Sequence, residues 1–425
     1  MQEFIAPKIF WLCEKKFVRV AQKTFVSLFP FVLLASITRV LSVALFSRYG
    51  FINQLFSVSS WLPFFDNIGT FFSNFSFLVG GLTGLLTFYF SARYTAEINK
   101  KDADIAGITG FIFSLIIYSY ELFNNSFNDG LLTKVNLPLN VNLVVAVFMG
   151  YIVGEIFHFT DKDSKKMMKQ ETKRVRPIIL SLLLAIILNS LLYIGTIYNI
   201  FTSISNFFTE LITSGSTLIT SFLNAIVTSL FTFIGMSSTY QMTNFTDDVF
   251  SIENLTYVLK NHTLTNIPHP FTMTTLYHGF GAFGGIGSLL ALVIAILLVS
   301  NNKKNRKIGI LGIFPTLFNN GAPVMLGIPV MFNIVFLIPF ILAPILNMFI
   351  AYVALKLTIM PPVVYPVPPG TPNPLIAFIG TGGSLRAFAI ALIAFMMDIV
   401  VYIPFVKLND RISEQLMEKE GSIYD

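Results

Sequence analysis

Two clusters of uncharged polar residues interrupt apolar sequence in the C-terminal half of the chain: Phe318-Asn319-Asn320-Gly321-Ala322-Pro323, and Gly380-Thr381-Gly382-Gly383-Ser384 just ahead of Arg386. Amides, hydroxyls and exposed backbone groups without net charge suit a neutral polyhydroxylated ligand such as a sugar, with aromatic side chains covering the apolar faces of its ring. Residues 381–384 at a helix N-terminus can equally hold an anion. The plainer alternative is a helix cap and a tight turn. His278, in Leu276-Tyr277-His278-Gly279, lies in the body of a long apolar segment. Its imidazole can contact a hydroxyl or act as a base; the alternative is a core histidine bonded to a backbone carbonyl.

Ionisable groups inside apolar runs mark function by default, because lipid makes them costly. Asp398 lies in the last such run, Arg39 in the first, and Glu155 and His158 near the end of the fourth. Asp398 is the sharpest candidate for proton coupling, set against pairing with a Lys or Arg; Glu155 is close enough to the interface to reach water. One cysteine, Cys13, excludes a disulfide framework, a Cys-rich zinc site and a Cys-X-X-Cys redox pair. Four histidines leave little for metal chemistry, so neither a metal nor a cofactor is expected. Gly279-Phe280-Gly281 and Gly284-Gly285-Ile286-Gly287 lack the strand and the Gly-Lys-Ser/Thr of a nucleotide site, and read as closely packed or broken helix.

The elements that position these groups lie in lipid. Of 425 residues, 54% are hydrophobic and only 12% charged, about half the charged share of a soluble domain. Apolar runs of about 20 residues are what a helix needs to cross the hydrocarbon, and candidates fall at 24–46, 70–91, 105–118, 142–158, 177–198, 217–236, 274–300, 331–357 and 386–406. Residues 1–23 are polar and basic, with no cleavable signal peptide expected. The formal charge of +6 points to no nucleic acid, because 22 of the 28 Lys and Arg fall in 1–23, 92–104, 159–176, 301–307 and 407–425. By the positive-inside rule both termini and the long loop 159–176 are cytoplasmic.

The first five spans alternate without conflict, and then the parity fails. If 217–236 and 274–300 both crossed, the basic loop 303–307 would lie outside, so one of them is expected not to be a simple span. The stretch between them, 237–271, is too polar to cross. The stretches 308–330 and 373–385 are apolar but broken by Pro and Gly, and read as re-entrant elements, the kind of interruption where transporters keep binding sites.

The run from Phe318 to Pro329, followed by Leu337-Ile338-Pro339-Phe340 and Ala343-Pro344-Ile345-Leu346-Asn347, resembles the membrane subunit (EIIC) of the lactose/cellobiose (diacetylchitobiose) branch of the phosphotransferase system. Pro361-Pro362-Val363-Val364, Thr371-Pro372-Asn373-Pro374 and Thr381-Gly382-Gly383-Ser384-Leu385-Arg386 resemble its closing motifs in order and spacing. The resemblance implies an all-α polytopic membrane protein of about ten transmembrane helices with two re-entrant hairpins. It implies a homodimer in the bacterial plasma membrane, in which 1–23 is a cytoplasmic segment, 24–200 the dimerisation domain, 201–406 the substrate-binding domain and 407–425 a cytoplasmic tail. The implied activity is a permease for a β-linked disaccharide or related glycoside, phosphorylated by a separate EIIB subunit. On this reading the substrate-binding positions are Asn319, Asn320, Ala322, His278, Ser237, Thr381, Gly382, Gly383 and Ser384, with Asp398 and Glu155 as coupling groups.

Two departures bear on the chemistry. Family members carry Asn-Glu-Pro where this chain has Gly321-Ala322-Pro323, and the family's Glu contacts the hydroxyl to be phosphorylated. A family His-Gly falls on Ser237-Ser238. A methyl group accepts no proton, and a serine hydroxyl is a far weaker base than imidazole. The chain carries no phosphoryl-carrier residue of its own, so at most it is the membrane component of a sugar phosphotransferase. Two other readings stand beside the permease: a degenerate homologue that binds sugar as a sensor or scaffold, its charged, helix-prone tail meeting a regulatory partner, and an ion-coupled carrier using Asp398.

Overall fold

The computed structural model describes residues 14–118, 142–162, 170–199, 203, 218–235 and 249–421, all without a strand. In hydrocarbon the backbone must satisfy its own hydrogen bonds, and a helix does so within one segment. Six helices among the described residues are long and apolar enough to cross a membrane, and Ala103–Ile117, Leu218–Ile234 and Leu289–Val299 are shorter apolar helices. The expected all-α, multi-pass membrane architecture is thus observed.

The chain divides into two compact units, one built from Glu14–Ala35 and Ser76–Phe208, the other including Ser36–Phe75 and Thr209–Asp425. Helices α1 (Lys16–Val40) and α4 (Phe65–Ile98) carry the chain between them, with the short helices α2 (Phe51–Phe56) and α3 (Val58–Trp61) in the intervening loop. The N-terminal unit adds α5 (Ala103–Ile117), α6 (Leu143–Lys162) and α7 (Gln170–Ile197). Its core joins Phe88, Ala92 and Ala96 of α4 to Phe113 of α5, Val153 and Phe157 of α6 and Ala185 of α7. Small residues let these backbones approach closely, which is how helices associate when lipid removes the hydrophobic drive between them. A Cβ on Gly154 would stand 2.4 Å from Thr95 Cβ and 2.9 Å from the Ala92 carbonyl. Gly154→Val is expected to destabilise this unit by about 1–3 kcal/mol, the usual cost of overpacking, read as a lower melting temperature in detergent.

The C-terminal unit continues with α8 (Leu218–Ile234), α9 (Val249–Asn261), a π-helical segment (Thr274–Gly281), α10 (Leu289–Val299), α11 (Lys303–Leu317), α12 (Ala322–Gly327), α13 (Ile334–Lys356), α14 (Asn373–Gly380) and α15 (Leu385–Gly421). Its core gathers Leu276, Tyr277, Phe280 and Phe283 against Met348 and Ala351 of α13, Ala377 of α14 and Ala387, Ala391 and Ala394 of α15.

The run 274–300 is not one span, as its length suggested. Gly284, Gly285 and Gly287 have φ of +77°, +104° and +77°, and Ser288 is left-handed at +53°, so the helix stops and restarts. The restarted helix α10 has 11 residues, about 16 Å and roughly half the hydrocarbon thickness. Of the two segments whose parity conflicted, this is the interrupted one. The stretch 308–330 is broken where Asn319 turns at φ +66° between α11 and α12, and 373–385 where Gly382 and Gly383 turn between α14 and α15 at +71° and +90°.

Two boundaries move outward from the sequence reading. Helix α1 begins at Lys16, inside the expected polar segment, and Lys16 is paired with Glu155. Helix α15 runs without interruption through 407–421. Its tail buries Ile412 against Val335, with Leu408 and Leu416 alongside, and Asp410 accepts hydrogen bonds from Ser300 Oγ at 2.8 Å and the Asn301 amide at 2.9 Å. Asn333 Nδ2 donates to Asn409 Oδ1 at 2.7 Å.

Candidate functional site

The helix interruptions of the C-terminal unit surround a cavity of about 540 Å³, within the size range of small-molecule sites. Each side of it comes from a chain break. Thr232 lies near the end of α8; Thr274, His278 and Gly279 come from the π-helical segment; Gly285, Ile286 and Leu289 from the glycine break; Asn319, Gly321 and Ala322 from the α11–α12 turn; and Val367 to Thr371, Asn373 and Ile376 from the extended segment leading into α14. Prolines at 361, 362, 366, 368 and 369 keep that segment out of a helix. It is tied down by Phe51 N, which donates to the Pro369 carbonyl at 3.0 Å, and by the tight fit of Gly370 against Ala44.

Among the described residues the lining holds no carboxylate, lysine or arginine. Its polar groups are hydroxyls, an imidazole and two amides. Asn319 Nδ2 donates to the Thr371 carbonyl at 2.8 Å, and Asn373 Nδ2 donates to the Ala282 carbonyl, so both amides are oriented by their donor ends. Their acceptor ends, Asn319 Oδ1 and Asn373 Oδ1, are buried without a partner among the described residues. An unsatisfied buried acceptor costs about 1–3 kcal/mol, and such a group in a native structure calls for an explanation.

The sequence-derived positions divide. Asn319, Ala322 and His278 line the cavity. Asn320 does not; its Oδ1 accepts from Ser36 Oγ at 3.3 Å. Ser237 lies outside the described residues. Thr381, Gly382, Gly383 and Ser384 form the joint between α14 and α15. Thr381 Oγ1 donates back to the Ala377 carbonyl at 2.7 Å, Gly382 N and Gly383 N to those of Ile379 and Phe378, and Ser384 Oγ accepts from Ala387 N at 3.3 Å. That is a glycine-terminated helix end followed by a serine N-cap.

Glu155 belongs to the N-terminal unit, where it pairs with Lys16 and accepts from Asn99 Nδ2 at 3.5 Å; Lys16 Nζ also donates to Asn99 Oδ1 at 2.7 Å. Asp398 is completely buried. It meets an amide instead of the expected Lys or Arg: Asn347 Nδ2 donates to its Oδ2 at 2.6 Å. Sequence reasoning missed Asn373 and Thr371 as lining residues. The available signal was an asparagine held between two prolines just where a helix begins.

Broken helices enclosing a cavity whose described lining is polar and without charge make it the candidate binding site of a multi-pass membrane protein. The family model described as "Phosphotransferase system, EIIC" matches residues 22–344, and the chain belongs to this family. It is 40% identical over 138 residues to the PTS system cellobiose-specific EIIC component of Lactococcus lactis subsp. lactis (strain IL1403), covering 32% of this chain and 28% of that protein. It is 37% identical over 139 residues to the PTS system lactose-specific EIICB component of Staphylococcus aureus, covering 33% of this chain and 24% of that protein. These alignments thus span less than a third of the relatives' length. Among solved structures it is similar to the transporter ChbC, the IIC component from the N,N'-diacetylchitobiose-specific phosphotransferase system, at 19% identity over 99% of both chains with a TM-score of 0.43.

Proposed function

We propose that this protein is a sugar permease of the phosphotransferase system that moves a β-linked disaccharide or related glycoside across the bacterial plasma membrane, with phosphorylation by a separate EIIB subunit. The observation that carries the reading is the cavity at the helix breaks, whose described lining, Asn319, Thr371, Asn373 and His278 among it, is polar without a carboxylate, lysine or arginine. Membership of the EIIC family and the similarity to relatives named for cellobiose and lactose support it. The same reading makes the protein a homodimer with the N-terminal unit at its interface and both termini cytoplasmic, where EIIB and the basic loops meet.

The test is uptake of labelled cellobiose and lactose into proteoliposomes, with and without purified phosphotransferase components; uptake that needs those components is expected. Asn319→Leu, which removes the side-chain amide from the lining, is expected to weaken cellobiose binding about tenfold, the worth of one hydrogen bond of about 1.4 kcal/mol, measured by calorimetry on the purified protein.

One observation favours a second reading. Ala322 presents a methyl group to the cavity where the resemblance leads one to expect a carboxylate, so the chain would bind sugar without accelerating its phosphorylation and act as a sensor or scaffold. Binding without uptake in the same vesicles would select that reading. Uptake driven by a pH gradient alone and abolished by Asp398→Asn would select an ion-coupled carrier.

A further inference from the structure

Behind the glycine break that forms one wall of the cavity lies a second polar cluster, sealed from the cavity and from solvent. Asp398 of α15, Asn347 of α13 and Ser288 at the start of α10 are each 0% exposed, as is Tyr402 one turn beyond Asp398. Asn347 Nδ2 donates to Asp398 Oδ2 at 2.6 Å and to Ser288 Oγ at 3.3 Å, and Tyr402 donates its hydroxyl hydrogen to the Gly287 carbonyl. The cluster therefore grips the break at two successive residues, Gly287 and Ser288, immediately beside the lining residues Gly285, Ile286 and Leu289.

The donors do not suffice for the acceptors. Both Asp398 Oδ1 and Asn347 Oδ1 are buried with no hydrogen-bond partner among the described residues. An ionised Asp398 would be a full negative charge met only by the Asn347 amide and the Ser288 hydroxyl, with its Oδ1 still unpartnered among the described residues, a costly arrangement in a protein interior. No cation relieves it among the described residues. Of the elements packed on α15, α10 and α14 carry no titratable side chain, and α13 carries Tyr352 and Lys356, whose amine stands over the Tyr352 ring at 5.8 Å. Along α15 itself, beyond Tyr402, the nearest charged groups are Arg386 and Lys407, about 13 Å or more along the helix axis. His278 lies on the π-helical segment, which packs on α13 and α14. A proton on Asp398 Oδ1 resolves the count: it removes the charge and turns one orphan acceptor into a donor for the other, Asn347 Oδ1, on the two groups already joined through Nδ2 and Oδ2.

We propose that Asp398 is a positioning residue for the cavity wall, holding the Gly284–Ser288 break in place as an un-ionised carboxylic acid and letting that wall move when its proton leaves. The proton goes to water, which reaches the carboxylate only when the packing opens. The closed arrangement thus binds one more proton than the open one, so the ratio of closed to open falls up to tenfold for each pH unit as pH rises. The idea rests on the cavity being the sugar site, but two of its three readouts need no sugar.

The first readout is the infrared carbonyl band of a buried carboxylic acid, titrated against pH in the wild type; it is expected at low pH and expected to be missing in Asp398→Asn. The second places Ile286→Cys in a Cys13→Ser background and follows its alkylation by a neutral reagent, with and without Asp398→Asn. The asparagine introduced by that substitution mimics the acid's donor and acceptor but cannot ionise. The rate with Asp398 intact, divided by the rate with Asp398→Asn added, is therefore expected to be near one at low pH and to climb with pH. A merely structural Asp398 gives a ratio that pH does not move, and that result, or no acid band at any pH, overturns the proposal. The third is cellobiose affinity, expected to weaken with pH in the wild type more steeply than in Asp398→Asn; the same pH dependence in both overturns the proposal. If labelling and infrared behave as expected while cellobiose binds neither protein, the sugar assignment fails and the proton-held wall stands. Should Asp398→Asn fail to assemble, the wild-type infrared titration decides by itself.

Discussion

Ala322→Glu is expected to raise phosphorylation-coupled cellobiose uptake by about a hundredfold, the lower end of what a positioned acid or base contributes. Position 322 is exposed at the head of α12 and faces the cavity, so a longer side chain has room to reach a bound hydroxyl without displacing the wall. The neighbouring position does not share that freedom. A Cβ on Gly321 would come within 2.2 Å of Leu289 Cδ1 and 3.0 Å of the Gly284 carbonyl, so restoring the family's Asn there would force the Leu289 side chain aside and crowd the glycine break. The single substitution is thus the informative one, and Gly321→Asn combined with Ala322→Glu is expected to lower stability and lose the gain. Initial rates of labelled cellobiose uptake with purified EIIB and its phosphate donors measure the effect. If Ala322→Glu instead abolishes binding, the cavity has been rebuilt for a ligand that the family's carboxylate would exclude.

Gly287→Val is expected to cost the C-terminal unit about 2–5 kcal/mol. Two independent terms set the size. A side chain at a left-handed position costs roughly 1–2 kcal/mol, and forcing atoms into a filled core costs about 1–3 kcal/mol more. Gly287 has φ +77°, and a Cβ there would lie 2.3 Å from two carbons of the Phe340 ring. The Tyr402 hydrogen bond to its carbonyl would be lost with the displaced backbone. Thermal unfolding in detergent checks the total. The second-site change Phe340→Ala separates the terms, because it relieves the clash but leaves the backbone strain, so only part of the lost stability is expected to return.

What the residues disclosed in advance follows from local physics. Apolar length marks a crossing helix whatever surrounds it, so the runs at 177–198 and 331–357 could be read directly and appear as α7 and α13. Glycine and proline clusters mark interruption for equally local reasons, and the breaks at 318–323 and 380–384 lie where those residues stand. Which polar atom ends up against the cavity is a different matter. Asn319 and Asn320 are adjacent and chemically identical, yet the left-handed turn at Asn319 gives one to the cavity and the other to Ser36. The hydroxyls and glycines of 381–384 had two uses open to them, a ligand site or a helix joint, and the hydrogen bonds of the folded chain join helices. Asn373 reaches the cavity through a bond to Ala282, 91 residues away in sequence, and no local pattern encodes such a pairing. The orphan oxygens of Asp398 and Asn347 likewise exist only once α13 and α15 are side by side.

The unbroken length of the last helix gives the cavity a handle. At 37 residues, α15 is a rod of roughly 55 Å. Midway along it Asp398 and Tyr402 touch the residues behind the cavity wall, and further on Asn409 and Asp410 are pinned to Asn333, Ser300 and Asn301. Proline is the usual site of a helix kink, and Pro404 lies between Tyr402 and Asn409. A spin label on the exposed Glu414 would therefore report movement of the arm beyond Pro404 without touching the cavity. A truncation ahead of Asn409 removes the bonds to Asn333, Ser300 and Asn301, and fusion partners belong beyond Gly421.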